Sequence, residues 1–102
     1  MLVVGILTVD LRIPAALSLK DKRSVVKSIL ERSRHKYSVS SAEIDKLDSC
    51  REAVLAFSYV GNAKTFVEGV MHKVEDYIAS FPECEIIDCD IWFECGNDSE
   101  FV

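Results

Sequence analysis

No run in this 102-residue chain approaches the roughly 18 consecutive apolar residues that a membrane-spanning helix needs, so no membrane contact is expected. The apolar start at Leu2 carries no basic segment and no small-residue cleavage site. A signal peptide is therefore not expected, and the chain reads as soluble and cytoplasmic. Cysteine is present without metal-binding order: Cys50, Cys84, Cys89 and Cys95 form no C-x-x-C pair. His35 and His72 add no zinc-like spacing, so no metal ligand is assigned and four free thiols are expected. Neither histidine has a Ser or Cys partner at motif spacing, and there is no glycine-rich phosphate loop. No catalytic residue, cofactor or small-molecule substrate is assigned. Internal repeats and linkers are also missing.

What is present suits one folded domain. Apolar residues make up 49% of the chain and charged residues 28%, and a chain of this length buries about 60–65% of its unfolded surface. Residues 3–13 are rich in β-branched and apolar side chains, and Pro14 ends the run. Val3, Leu7, Val9, Leu11 and Ile13 share one face, while the other is more polar, so the first should meet the helices. Ser18 and Asp21 form a helix-start pair in which each side chain can satisfy a backbone amide. The helix should run to about His35, with Val25, Val26, Ile29 and Leu30 as its core stripe and Lys22 at the same spacing. Residues 37–45 read as a weak, serine-rich edge strand, and residues 51–61 as a central one.

Asn62 is the expected N-cap of a second helix, with Phe66, Val67, Val70, Met71, Val74, Tyr77, Ile78 and Phe81 along its stripe and Pro82 closing it. Gly69 within it costs about 1 kcal/mol against Ala, which close approach to a neighbouring element would offset. Residues 85–94 form the last strand. Ile87, Cys89, Ile91 and Phe93 point one way, with Cys89 a small buried hydrophobe; Ile86, Asp88, Asp90, Trp92 and Glu94 point the other. The order β-α-β-β-α-β with right-handed crossovers predicts an α+β, ferredoxin-like two-layer sandwich. Its four-stranded antiparallel sheet has strand order 4-1-3-2, with two helices on one face. Residues 1–95 form the domain and residues 96–102 a flexible acidic tail.

Several stretches occur together in order: Val3-Val4-Gly5-Ile6-Leu7, Ile13-Pro14, Ser18-Leu19-Lys20-Asp21-Lys22-Arg23, Val39-Ser40-Ser41-Ala42-Glu43-Ile44-Asp45, Ala53-Val54-Leu55 and Glu85-Ile86-Ile87-Asp88. In this combination residues 1–95 resemble the YlxP-like family, small bacterial proteins of unassigned function. The resemblance implies the same ferredoxin-like fold and a neighbourhood in ribosome or RNA biology. It implies no chemistry, and the tail and the cysteine content fall outside it.

The net charge of −5 is unevenly spread. Residues 18–37 hold seven basic and two acidic side chains, a net of +5, and the rest of the chain is at −10. Lys20, Lys22, Arg23, Lys27 and Arg34 are the expected contacts for a nucleic acid or another anion through phosphates. The plainer reading of the same residues is a solvated helix face with a Lys27–Glu31 pair. A phosphate at the helix start meets competition from Asp21.

On the sheet, Asp10, Asp88 and Asp90 gather near Arg12, which is expected to neutralise them. Val4, Ile6, Ile86 and Trp92 leave an apolar patch fit for a partner. Strand one has no outward aromatics, and no basic-Gly-aromatic run lies in strand three, so base stacking of the ribonucleoprotein kind is not expected. The reading is a non-enzymatic binding module that touches RNA or a ribosomal assembly through its basic first helix. The alternative is a homodimerising protein-interaction module that uses the open sheet face without nucleic acid.

Overall fold

The structure, a computed structural model, describes residues 1–96. Alternation in β1 (Leu2–Arg12) turns Val3, Leu7, Val9 and Leu11 to a buried side, and Ile13 continues that side beyond the strand. At the start of α1 (Leu19–Tyr37), Ser18 Oγ accepts from Asp21 N at 3.1 Å. Asp21 Oδ2 reaches back to the amide of Leu17 at 3.0 Å. Both expected partners are used, the carboxylate one residue further back than Ser18 itself.

α1 outlasts its expected end at His35 by two residues. Tyr37 packs edge-on against Tyr77 with ring centroids 5.5 Å apart, and Ser38 closes the helix with φ 57° and its N–H on Arg34 O. β2 (Ser40–Asp45) is correspondingly shorter than the expected 37–45.

β3 (Glu52–Gly61), α2 (Lys64–Ala79) and β4 (Glu85–Gly96) complete the chain. The sheet order is β2-β3-β1-β4 with every pair antiparallel. This is the expected 4-1-3-2 order read from the other edge. Both helices cover one face, and Leu7, Leu11, Ile29, Leu55, Met71 and Ile78 are wholly enclosed between the layers. β4 continues through Gly96; the remainder of the expected tail, residues 97–102, lies outside the described residues. No described helix is long and apolar enough to cross a membrane.

Four local expectations need correction. The N-cap of α2 is Ala63, without a side-chain bond, rather than Asn62. Phe66 is 61% exposed and leans on Tyr59 at 6.1 Å instead of joining the core. Gly69 makes no close approach, since a Cβ there would meet nothing within 4 Å. The intimate contacts lie on the strands: a Cβ on Gly5 would stand 2.6 Å from Val67 Cγ1, and one on Gly61 2.7 Å from Val67 Cγ2.

The fourth correction is in β4. Asp10 pairs with Asp88 but Leu11 pairs with Ile86, so Ile87 is the extra residue of a bulge. The slip turns Ile86 to the helix side, where it packs against the core, and removes it from the open face. Ile87 is left 49% exposed. Cys89 keeps the expected side of the strand but is half-buried at the sheet margin.

The packing around the glycines has a measurable consequence. Gly69→Ala should raise stability by about 0.5–1 kcal/mol, because it removes a helix penalty and meets open space. Gly5→Ala should cost about 1–3 kcal/mol through overpacking against Val67 and Met71. Urea titration separates the two, and a shift of the same sign at both sites would contradict this packing.

Candidate functional site

Lys22 precedes Val26 by four residues and Ile29 by seven, so helical phase turns it toward the sheet. Its side chain is 0% exposed. The ammonium donates to Glu43 Oε2 at 2.7 Å, Lys46 O at 3.1 Å and Leu47 O at 3.4 Å. Three N–H donors meet three acceptors, which leaves no hydrogen-bonding capacity for a ligand. Lys22 therefore does not belong to the phosphate-contact set, contrary to expectation. The carbonyls of Lys46 and Leu47 face inward because Lys46 adopts φ 57° in the turn after β2. From there Lys46 Nζ lies 3.6 Å from Asp10 and 3.5 Å from Glu52.

The next residue, Arg23, is rotated about 100° away and faces solvent. Lys20, Arg23, Lys27 and Arg34 are all exposed along this side of α1. Three of them, Arg23, Lys27 and Arg34, line a shallow groove of about 210 Å³ between α1 and β2. Val26 and Leu30 contribute apolar lining, and Glu31 and Glu43 contribute acids. Arg34 Nη2 donates to Ser41 O at 3.0 Å, while Ser41 Oγ donates to Leu30 O at 3.2 Å. Helix and edge strand are thereby held together along the groove.

The i, i+4 pair anticipated between Lys27 and Glu31 is not among the ion pairs of the described residues. At the helix start the Asp21 carboxylate already sits on the Leu17 amide, so an anion would have to displace it.

The other flank of α1 uses its cations differently. Arg32 lies 5.7 Å from the Phe81 ring centroid, and Lys36 4.7 Å from that of Tyr77. His35 lines a shallow depression with Glu31, Arg32, Lys36 and Tyr77, and His72 lies on α2 with Nδ1 3.7 Å from Glu75. Arg32 and Lys36 stay exposed beside these rings, so the helix carries basic charge on both flanks, with Lys20, Arg23, Lys27 and Arg34 grouped on the β2 side.

On the open face of the sheet, Ile6 stands between Ser58 and Trp92, and Val4 between Val60 and Glu94. Val60 is 62% and Trp92 42% exposed. Val4, Ile6, Val60 and Trp92 thus form the apolar patch, with Val60 replacing Ile86. The alternation of β3 could have identified Val60, since it shares parity with Ser58 and Ala56. Asp10 and Asp88 face each other directly, and Asp90 lies opposite Thr8. Among the described residues, no three carboxylate, imidazole or thiol groups converge as a metal site would require. Lys46, rather than the expected Arg12, is the cation at Asp10.

The thiols are not disulfide-bonded. Burial pushes the Cys84 thiol up, with the Glu83 charge adding to it. Cys89 is pushed up to about 12 by burial first and then by the Glu75 carboxylate. Both stay protonated at neutral pH and are weak nucleophiles.

Comparison with known proteins agrees with the motif reading. The family model described as "Protein of unknown function (DUF503)" matches residues 4–91. A Bacillus subtilis (strain 168) protein described as "Uncharacterized protein YlxP" is 37% identical over 68 residues, covering 67% of this chain and 74% of the relative. The chain belongs to the DUF503 family, and the YlxP-like resemblance is borne out.

Lys22 gives the sharpest test of this local architecture. Lys22→Ala should lower stability by about 3–5 kcal/mol, because Glu43 would keep a charge at 13% side-chain exposure without its partner. Replacing both residues by Met should recover a large part of the loss. Urea unfolding of the wild type and the two variants checks this, and a double variant no better than Lys22→Ala would contradict it.

Proposed function

We propose that the chain is a non-enzymatic, cytoplasmic binding module that contacts the sugar-phosphate backbone of RNA, free or within a ribosomal assembly. The contact surface is the groove wall of Arg23, Lys27 and Arg34, with Lys20 extending it. The observation that carries the reading is the convergence of Arg23, Lys27 and Arg34 on one groove of an otherwise acidic chain. Guanidinium and ammonium groups on one helix side suit phosphate contacts without base readout. Arg34 spends one donor on Ser41 O and retains others for a phosphate.

Four cysteines without a disulfide suit a reducing compartment.

Binding of a single-stranded RNA oligonucleotide, followed by fluorescence anisotropy across a salt series, tests the reading. Wild-type affinity should fall as salt rises. Arg23→Glu with Lys27→Glu should weaken binding at least about tenfold at low salt and reduce the logarithmic salt slope by about 0.7 per lost contact. Unchanged affinity in the double variant, or no binding by the wild type, rejects the groove as an RNA surface.

A second reading is favoured by exposed Trp92 and Val60, with half-buried Ile6 and Val4 beside them on the open face. In that reading the chain homodimerises through the open sheet face and needs no nucleic acid. Light scattering should then report a dimer for the wild type and a monomer for Trp92→Asp. Monomers in both reject it.

A further inference from the structure

We propose that the outer edge of β4 is a docking site for an extended segment of another protein, in which Lys or Arg alternates with apolar residues. The segment would join the sheet as a fifth strand.

The backbone geometry identifies which groups are on offer. Ile13 N donates to Arg51 O at 2.7 Å, so the odd-numbered positions on the β1 side of the sheet turn their peptide groups toward β3. Val9, Leu7 and Gly5 lie opposite Cys89, Ile91 and Phe93. In an antiparallel ladder those three β4 residues must then point their own N–H and C=O groups away from β1. Cys89 supplies an independent check, since its N–H is bonded to Asp88 Oδ1 at 2.9 Å. The N–H and C=O groups of Ile91 and Phe93 are therefore presented along the edge.

The opposite edge of the sheet is closed to such an addition. β2 has six residues and a register shift between Glu43 and Asp45. Its Ser41 carbonyl is occupied by Arg34, and its Glu43 side chain by Lys22. β4 has twelve residues and, among the described residues, no such guard between Ile91 and Phe93.

Side chains on β4 select the occupant. Asp88, Asp90 and Glu94 alternate on the open face, and no Lys or Arg occurs in Glu85–Gly96. Basic residues of an added strand would stand beside these carboxylates and the exposed Trp92 ring. On the helix side, half-buried Ile91 would receive an apolar residue, and half-buried Phe93, with Lys64 Nζ 5.4 Å from its ring centroid, would receive one beside that ammonium. A second copy of β4 fits poorly. Antiparallel registers centred from Cys89 to Trp92 set one of these carboxylates opposite another or opposite itself, which is destabilising. A register centred on Phe93 avoids this but reaches Gly96 within three residues and leaves Asp88 unpaired.

Hydrogen exchange on the whole chain, with synthetic probe peptides, tests the inference. In the free protein the amides of Ile91 and Phe93 should exchange fast, and those of Asp90 and Trp92 slowly. A short peptide of alternating Lys and Val should slow Ile91 and Phe93 by about tenfold or more at saturation. The same peptide with a central Pro, and a Glu–Val counterpart, should bind at least about tenfold more weakly. Asp90→Asn with Glu94→Gln should weaken the Lys–Val peptide several-fold.

Three outcomes overturn the proposal. One is absence of binding. Another is binding that leaves the two amides fast, or that tolerates the Pro, which is charge attraction alone. The third is protection of the same amides that rises with protein concentration without peptide, which would assign the edge to a second copy.

Discussion

The ammonium of Lys22 is the point on which the first half of the molecule is organised. It is wholly enclosed, and each of its three donors ends on a separate acceptor from β2 or the turn after it. A buried charge left unpaired is costly, so α1, β2 and the turn at residues 46–47 are tied to one another. The turn then places Lys46 within reach of Asp10 and Glu52 on the two central strands. The two stretches most distinctive of the family resemblance, Ser18 to Arg23 and Ser40 to Asp45, contain the two ends of this pair. Their joint occurrence has an architectural cause and does not require a shared ligand.

The same constraint sets the surface proposed to contact RNA. Once Lys22 points inward, helical rotation sends Lys20, Arg23, Lys27 and Arg34 to the solvent side next to β2. One helix thus carries an interior cation that fixes its rotation and exterior cations whose direction follows from it. Arg34 belongs to both sets, since its bond to Ser41 O also closes the outer edge of β2. The groove is in consequence a prearranged surface, with one wall on a packed helix and the other on a strand clamped to it.

Much of the architecture was legible in local patterns. Strand alternation identified the buried side of β1, and Ser18 with Asp21 marked the start of α1, because those signals act within four residues. The failures came from long-range causes. Lys22 had the spacing of a core residue and the charge of a surface one, and the partner that decided between them lies 21 residues away. The bulge at Ile87 left no mark in composition, yet a single added residue exchanged the faces of Ile86 and removed it from the patch. Gly69 looked like a site of close approach, but the crossing point of α2 is set by where Val67 fits between Gly5 and Gly61. Of the candidate site, the exposed basic residues were readable from charge and period; the groove was not, because its second wall belongs to another element.

The two proposed surfaces sit on opposite outer strands of the sheet. Three interstrand spacings of about 4.8 Å separate β2 from β4, roughly 14 Å in all. That exceeds the Debye length of about 8 Å at physiological ionic strength, so the acidic edge does little to repel a polyanion bound in the basic groove. At low salt the screening length grows and the two fields overlap, so part of the gain in each site's attraction for its proposed partner is offset by the opposite charge. The segregation of charge along this small sheet therefore has a physical consequence for the two proposals: salt near the physiological range would let a polyanion at α1 and a basic strand at β4 bind independently.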